Sequence, residues 1–178
     1  MKIIKKLNSG SIFSNTYYID DDIKVVIDAG QLVDEKVDIL ILTHCHFDHV
    51  VHANEIKKKN NCRIYMSLKC SEHLKNLDNA TFHSFFTEHA EPVFADKIIK
   101  EGDIIKTGRY SLRVIETPGH TDCSICLYDD TKKILFSGDT MFRRTTGRTD
   151  LPTGNPEKML KSLEKLKKLE VKKLYPGH

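Results

Sequence analysis

His44-Cys45-His46-Phe47-Asp48-His49 sets three imidazoles and a carboxylate within six residues, one residue after the apolar run Ile39-Leu40-Ile41-Leu42. With 9 His in 178 residues and the chain's own Asp content, His-x-His-x-Asp-His should occur by chance in about two of a thousand such chains. A metal site is the economical reading. If His44 and His46 are extended, both point to one side and can share a metal, while the turn into a following helix swings Asp48 and His49 towards a second position. The same alternation turns Cys45 away from the metal.

Three other strand ends carry residues of ligand type. Thr117-Pro118-Gly119-His120 and Tyr175-Pro176-Gly177-His178 echo one another, and each follows an apolar segment. A Pro-Gly pair fixes one φ and frees the next, so it turns the chain sharply and aims the following histidine off the strand. Asp139 ends Phe136-Ser137-Gly138-Asp139 in the same way. His120 can complete the first metal position and His178 the second, and Asp139 has the two oxygens needed to bridge them. Five imidazoles and two carboxylates around two dications leave a positive centre that would bind and deprotonate a bridging water.

At these residues the sequence resembles the metallo-β-lactamase superfamily. Within it, Thr117-Pro118-Gly119-His120-Thr121-Asp122, Leu135 to Phe142 and Gly147-Arg148-Thr149-Asp150-Leu151-Pro152 look like the glyoxalase II-like hydrolases. The resemblance implies an α/β (α+β) fold, a four-layer αββα sandwich. It implies one metal on His44, His46 and His120, another on Asp48, His49 and His178, and Asp139 between them, with Asp48 and Asp139 sharing in catalysis. It also implies two divalent ions, zinc first and iron or manganese as other fits. The expected substrate is a small-molecule thioester such as S-lactoylglutathione, attacked by a bridging hydroxide. Independently, a thiolate leaves without prior protonation, which suits a site offering hydroxide and Lewis acid. The family's glutathione-cleaving members carry a helical C-terminal domain that this chain, ending at His178, is expected to lack. A rival is a persulfide dioxygenase-like enzyme, whose single iron would sit on His44, His120 and Asp139. A third reading is a non-catalytic module of the same fold.

The rest of the chain bounds these readings. At 178 residues with 39% hydrophobic content, one domain spanning 1–178 is expected. Lys and Arg number 28 against 25 acidic residues, a net of +3, which implies neither a nucleic-acid nor a membrane partner. Met1 to Lys6 lacks a secretory apolar core, and no apolar run could span a bilayer, so a cytoplasmic protein is expected. Five cysteines, an odd number lying mostly in structured segments, suit reduced thiols.

Strands are predicted at 16–19, 24–27, 38–42, 63–66, 111–115, 125–128, 133–136 and 173–175, and helices at 50–59, 68–77 and 156–169. The last helix has Asn155 as N-cap, Pro156 at its first position, and Met159, Leu163 and Leu166 on one face. His52, His73, His83 and His89 read as ordinary histidines, and Tyr175 as core. Arg148 and Asp150 read as a brace that orients the ligands.

Overall fold

Alternation within the strands decides the architecture. The computed structural model describes residues 4–7 and 12–178; the expectation for Met1 to Ile3 lies outside them. Six strands, β1 (Ile4–Leu7), β2 (Thr16–Ile19), β3 (Val25–Ile27), β4 (Ile39–Ile41), β5 (Arg63–Met66) and β6 (Lys97–Ile98), pair in that order into one sheet. Five more, β7 (Ile104–Lys106), β8 (Ser111–Glu116), β9 (Ile125–Asp129), β10 (Ile134–Gly138) and β11 (Lys173–Pro176), form a second in the order β11-β10-β9-β8-β7. The pairs β3–β4, β4–β5, β5–β6 and β10–β11 are parallel.

Because side chains alternate across a strand, each sheet has two apolar faces to cover. Tyr17, Ile19, Val25, Ile27, Ile39 and Ile41 point inward and meet Leu112, Val114, Leu127, Phe136 and Tyr175 of the second sheet. Their neighbours Tyr18, Val26, Leu40, Ile64 and Met66 point outward, under α1 (Phe47–Val50), α2 (Ala53–Asn60) and α3 (Leu68–Asn76). On the far side, Ile115, Cys126, Tyr128 and Leu135 are covered by α4 (Pro156–Lys167) through Leu166. Three apolar layers separate four structural ones, the αββα sandwich that the resemblance implies.

The helix at the C-terminal end begins as its sequence dictates. Asn155 Oδ1 accepts from the Lys158 N–H at 2.9 Å, and Met159 and Leu166 are buried while Leu163 is half-buried. The helix expected over 50–59 is instead two. The His49 carbonyl accepts from Ala29 N at 2.7 Å, and Ala29 O accepts from His52 N at 3.0 Å, so a neighbouring loop takes the bonds that would carry α1 onward. All five cysteines are free and buried. Among the described residues no helix is long and apolar enough to cross a membrane.

Candidate metal centre

The ends of β4, β8, β10 and β11 meet at one edge of the sandwich, and their following residues converge. His46 is still extended (φ −62°, ψ 139°), so His44 and His46 stay on one side before α1 begins. Asp48 and His49 lie in α1 itself and are carried round to an adjacent position. His120 arrives from the turn after β8. There Gly119 adopts φ +153°, and a Cβ on it would come within 2.5 Å of Met159 Cα in α4.

Three groups of donor atoms result: His44 with His46 and His120; His44 with His49 and Asp139; and Asp48 with His49 and His178. Within each, the atoms lie within 4.8 Å of one another. All seven side chains singled out in the sequence are thus drawn together. Asp139 straddles the groups, its Oδ1 3.3 Å from His49 Nε2 and its Oδ2 3.7 Å from His120 Nε2 and 3.6 Å from His178 Nε2. Asp48 Oδ2 lies 3.1 Å from His178 Nε2 and 3.5 Å from His49 Nε2.

The outer ring nitrogens are spoken for. Thr43 donates through Oγ1 to Asp28 Oδ2 at 2.9 Å and so accepts from His44 Nδ1 at 3.1 Å. His49 Nδ1 donates to the same Asp28 oxygen at 2.9 Å, and His120 Nδ1 to the Arg148 carbonyl at 2.8 Å. Each bond keeps the Nδ1 proton on the outer side and turns Nε2 towards the centre, where it offers a lone pair whenever the ring is neutral. His46 Nδ1 lies 3.0 Å from His120 Nε2, two nitrogens converging on one region.

Do these residues fit a cation? Nε2 of His44, His46 and His49 and Oδ1 of Asp139 are buried without any hydrogen-bond partner. Buried polar atoms without hydrogen-bond partners are costly, and several facing one another are what a metal would satisfy. Nitrogen and carboxylate donors suit a divalent transition metal. Gly177 makes room, since a Cβ there would stand 2.0 Å from Asp139 Oδ1 and 2.7 Å from His49 Cε1.

The electrostatics agree. Burial and the surrounding imidazoles hold His44 well below the ordinary histidine range, and burial together with His120 brings His46 down to about 4. Both are neutral donors at pH 7. His49 differs: burial opposes its charge, but Asp139, Asp48 and Asp28 outweigh burial and hold it well above the usual value. Burial likewise opposes ionisation of Asp48 and Asp139, and His49 first among the neighbouring imidazoles overcomes it, so both carboxylates stay ionised. A proton on His49 therefore balances the carboxylates until a dication takes over that task.

Other candidates resolve individually. Cys45 is fully buried and its Sγ–H faces the Ala80 carbonyl at 3.4 Å. Tyr175 is core, packed on Phe136 and Tyr17. His52 sits 3.7 Å from Glu55. His73 is less ordinary than its sequence suggests, for it spans Asp78 at 2.7 Å and Asp122 at 2.9 Å. The brace at Arg148 and Asp150 needs correcting. Their side chains bind one another at 2.7 and 2.6 Å in solvent, and only the Arg148 main chain holds His120. Asp28 and Thr43 were missed, although Asp28 follows an apolar strand just as Asp139 does.

The description of a matching family model, over residues 10–178, is the metallo-beta-lactamase superfamily. The chain is 35% identical over 194 residues to a probable metallo-hydrolase of Methanocaldococcus jannaschii, covering 99% of this chain and 92% of that protein. It is 30% identical over 132 residues to the hydroxyacylglutathione hydrolase GloC of Haemophilus influenzae, covering 74% and 62% respectively. Among solved structures, TTHA1623 in a di-iron-bound form superposes with a TM-score of 0.84 at 25% identity, over 98% of this chain and 91% of that one.

Proposed function

The chain belongs to the metallo-beta-lactamase superfamily, and on that premise we propose that it is a thioester hydrolase with a dinuclear metal centre. The observation that carries the reading is the set of orphaned, buried donor atoms on His44, His46, His49 and Asp139 facing one another. Similarity to a hydroxyacylglutathione hydrolase supports the thioester as substrate class.

One metal would be held by His44, His46 and His120 and the other by Asp48, His49 and His178, with Asp139 between them. Cations there would supply a hydroxide at neutral pH and polarise the scissile carbonyl. The chain's own residues do the rest. Asp28, Thr43 and the Arg148 carbonyl hold three imidazoles in the donor tautomer, so no reorganisation is needed as charge develops. Asp48 and Asp139 keep negative charge beside that centre and limit its net positive field. His178 is the most exposed of the seven, with 41% of its side chain accessible. A thiolate departs unprotonated, so the reaction asks no proton of a side chain.

Zinc is the first expectation, and a di-iron relative of the fold keeps iron open. Five buried free cysteines are compatible with a reducing, cytoplasmic setting. Elemental analysis together with oxygen-independent turnover of acyl thioesters tests the proposal; two metals per chain and hydrolysis are expected. One iron per chain with oxygen uptake would replace it with the dioxygenase-like reading.

A further inference from the structure

His178 is shared by the metal centre and by a large open cleft of about 1240 Å³, running between β1 and β11 and past the loop after Asp139. Phe142 stands at the junction, its ring 6.5 Å from that of His178. Among the described residues six cationic side chains line the cleft, Lys5, Lys6, Arg143, Arg144, Lys172 and Lys173, and no carboxylate does. In a chain with 28 basic and 25 acidic residues this is a local segregation of charge. Lys5 is paired with Glu35 at 3.0 Å and Lys172 with Glu170 at 3.5 Å. The other four make no ion pair among the described residues, and Lys6, Arg143, Arg144 and Lys173 are all exposed. Like charges gathered without counter-ions repel one another and raise the local concentration of anions.

We infer that this cleft binds the carrier half of the substrate, and that the carrier is a phosphorylated thiol of the coenzyme A type. The inference rests on the thioester hydrolase reading and names the thiol within it. Two thiol carriers differ in the charges they offer. Glutathione brings an ammonium as well as two carboxylates, and a cleft shaped for it would place an acidic group against that ammonium. Here the two carboxylates beside the lining, Glu35 and Glu170, are already paired with Lys5 and Lys172. Coenzyme A brings only phosphates, and guanidinium and ammonium groups bind phosphate through charge-assisted bonds. Energy from that remote contact is then available to position the thioester carbonyl beside His178.

Pantetheine, the same thiol without its nucleotide and phosphates, isolates the effect. Titration calorimetry should show coenzyme A binding at least about tenfold more tightly than pantetheine, the worth of one charge-assisted bond. The advantage should shrink in the Arg143→Ala/Arg144→Ala double variant and, as a second probe against misfolding, in Lys6→Ala/Lys173→Ala. Equal binding of the two thiols, or an advantage that survives in both variants, would overturn the inference. So would a short single-stranded oligonucleotide that outcompetes coenzyme A. In turnover, acetyl-coenzyme A should exceed S-acetylpantetheine and S-acetylglutathione in kcat/KM. Equal cleavage of all three leaves the hydrolase reading standing and the carrier assignment refuted; refusal of every thioester by metal-loaded protein removes both.

Discussion

Oδ2 of Asp28 lies 2.9 Å from Nδ1 of His49, and the same oxygen accepts from Thr43, which in turn holds His44. One buried carboxylate thus orients an imidazole in each half of the centre. Asp28→Asn keeps the shape and removes the charge. It should weaken metal binding by about 10–100-fold, the usual cost of losing such a support. Competition against a chromophoric chelator measures this, and unaltered affinity would mean that Asp28 serves only the fold.

Acid should strip the centre. His49 is held well above the ordinary histidine pKa, and a metal must displace that proton. Affinity should therefore climb as pH rises through the His49 pKa and level off above it. A chelator titration that is flat across that window would contradict the balance of charge described here.

Gly177→Ala should strike the centre directly, although Gly177 offers no donor of its own. Its Cβ would fall 2.0 Å from Asp139 Oδ1, displacing the carboxylate that is proposed to lie between the two metals. Metal content should drop while far-ultraviolet circular dichroism stays native. Full occupancy in this variant would show that the Asp139 carboxylate has room to move.

Arg148→Ala should be nearly silent. The side chain is exposed and bound only to Asp150, whereas the contact to His120 comes from the main chain, which alanine retains. Metal content and kcat/KM within about twofold of the parent are expected, as for surface changes away from special features. A large loss would restore the side-chain brace inferred from the sequence.

His73 joins α3 to the loop that presents His120, through Asp78 and Asp122. Burial lowers its pKa, but the bonds to the two carboxylates outweigh that and raise it, while Asp122 is lowered by Lys69 and His73 despite burial. A raised histidine stabilises fully below its unfolded value and loses that contribution as pH rises through its folded pKa; a lowered Asp122 loses its own as pH falls through its folded pKa. The destabilisation caused by His73→Gln should thus be greatest in mildly acidic solution and fade in alkali. Thermal melts of both proteins across pH would show it, and a constant difference would argue that packing alone is involved.

Much of this was legible along the chain because ligand residues follow apolar strands, and strands such as Ile39–Ile41 announce themselves by composition. What was hidden depended on partners remote in sequence. β1, Ile-Lys-Lys-Leu, is polar enough to pass for a tail, yet pairs with β2 as an edge strand. β6 has two residues and β7 three, too few for a period to emerge. The interruption at Val51 and His52 follows from Ala29, which captures both flanking backbone groups. Arg148 marks the correct position but the wrong atom, since a sequence motif displays side chains and the working group here is a carbonyl.

The seat of α4 on Gly119 ties the outermost layer to the chemistry. Asn155 N donates to the Gly119 carbonyl at 2.8 Å and Ser162 Oγ to the Pro118 carbonyl at 2.7 Å, both in the turn that aims His120. A helix that offers no ligand is therefore part of the lever that sets one. Fraying at its first turn would be felt as a slackened grip on the ion, and chelation would in turn tighten a surface element remote from the bond being broken.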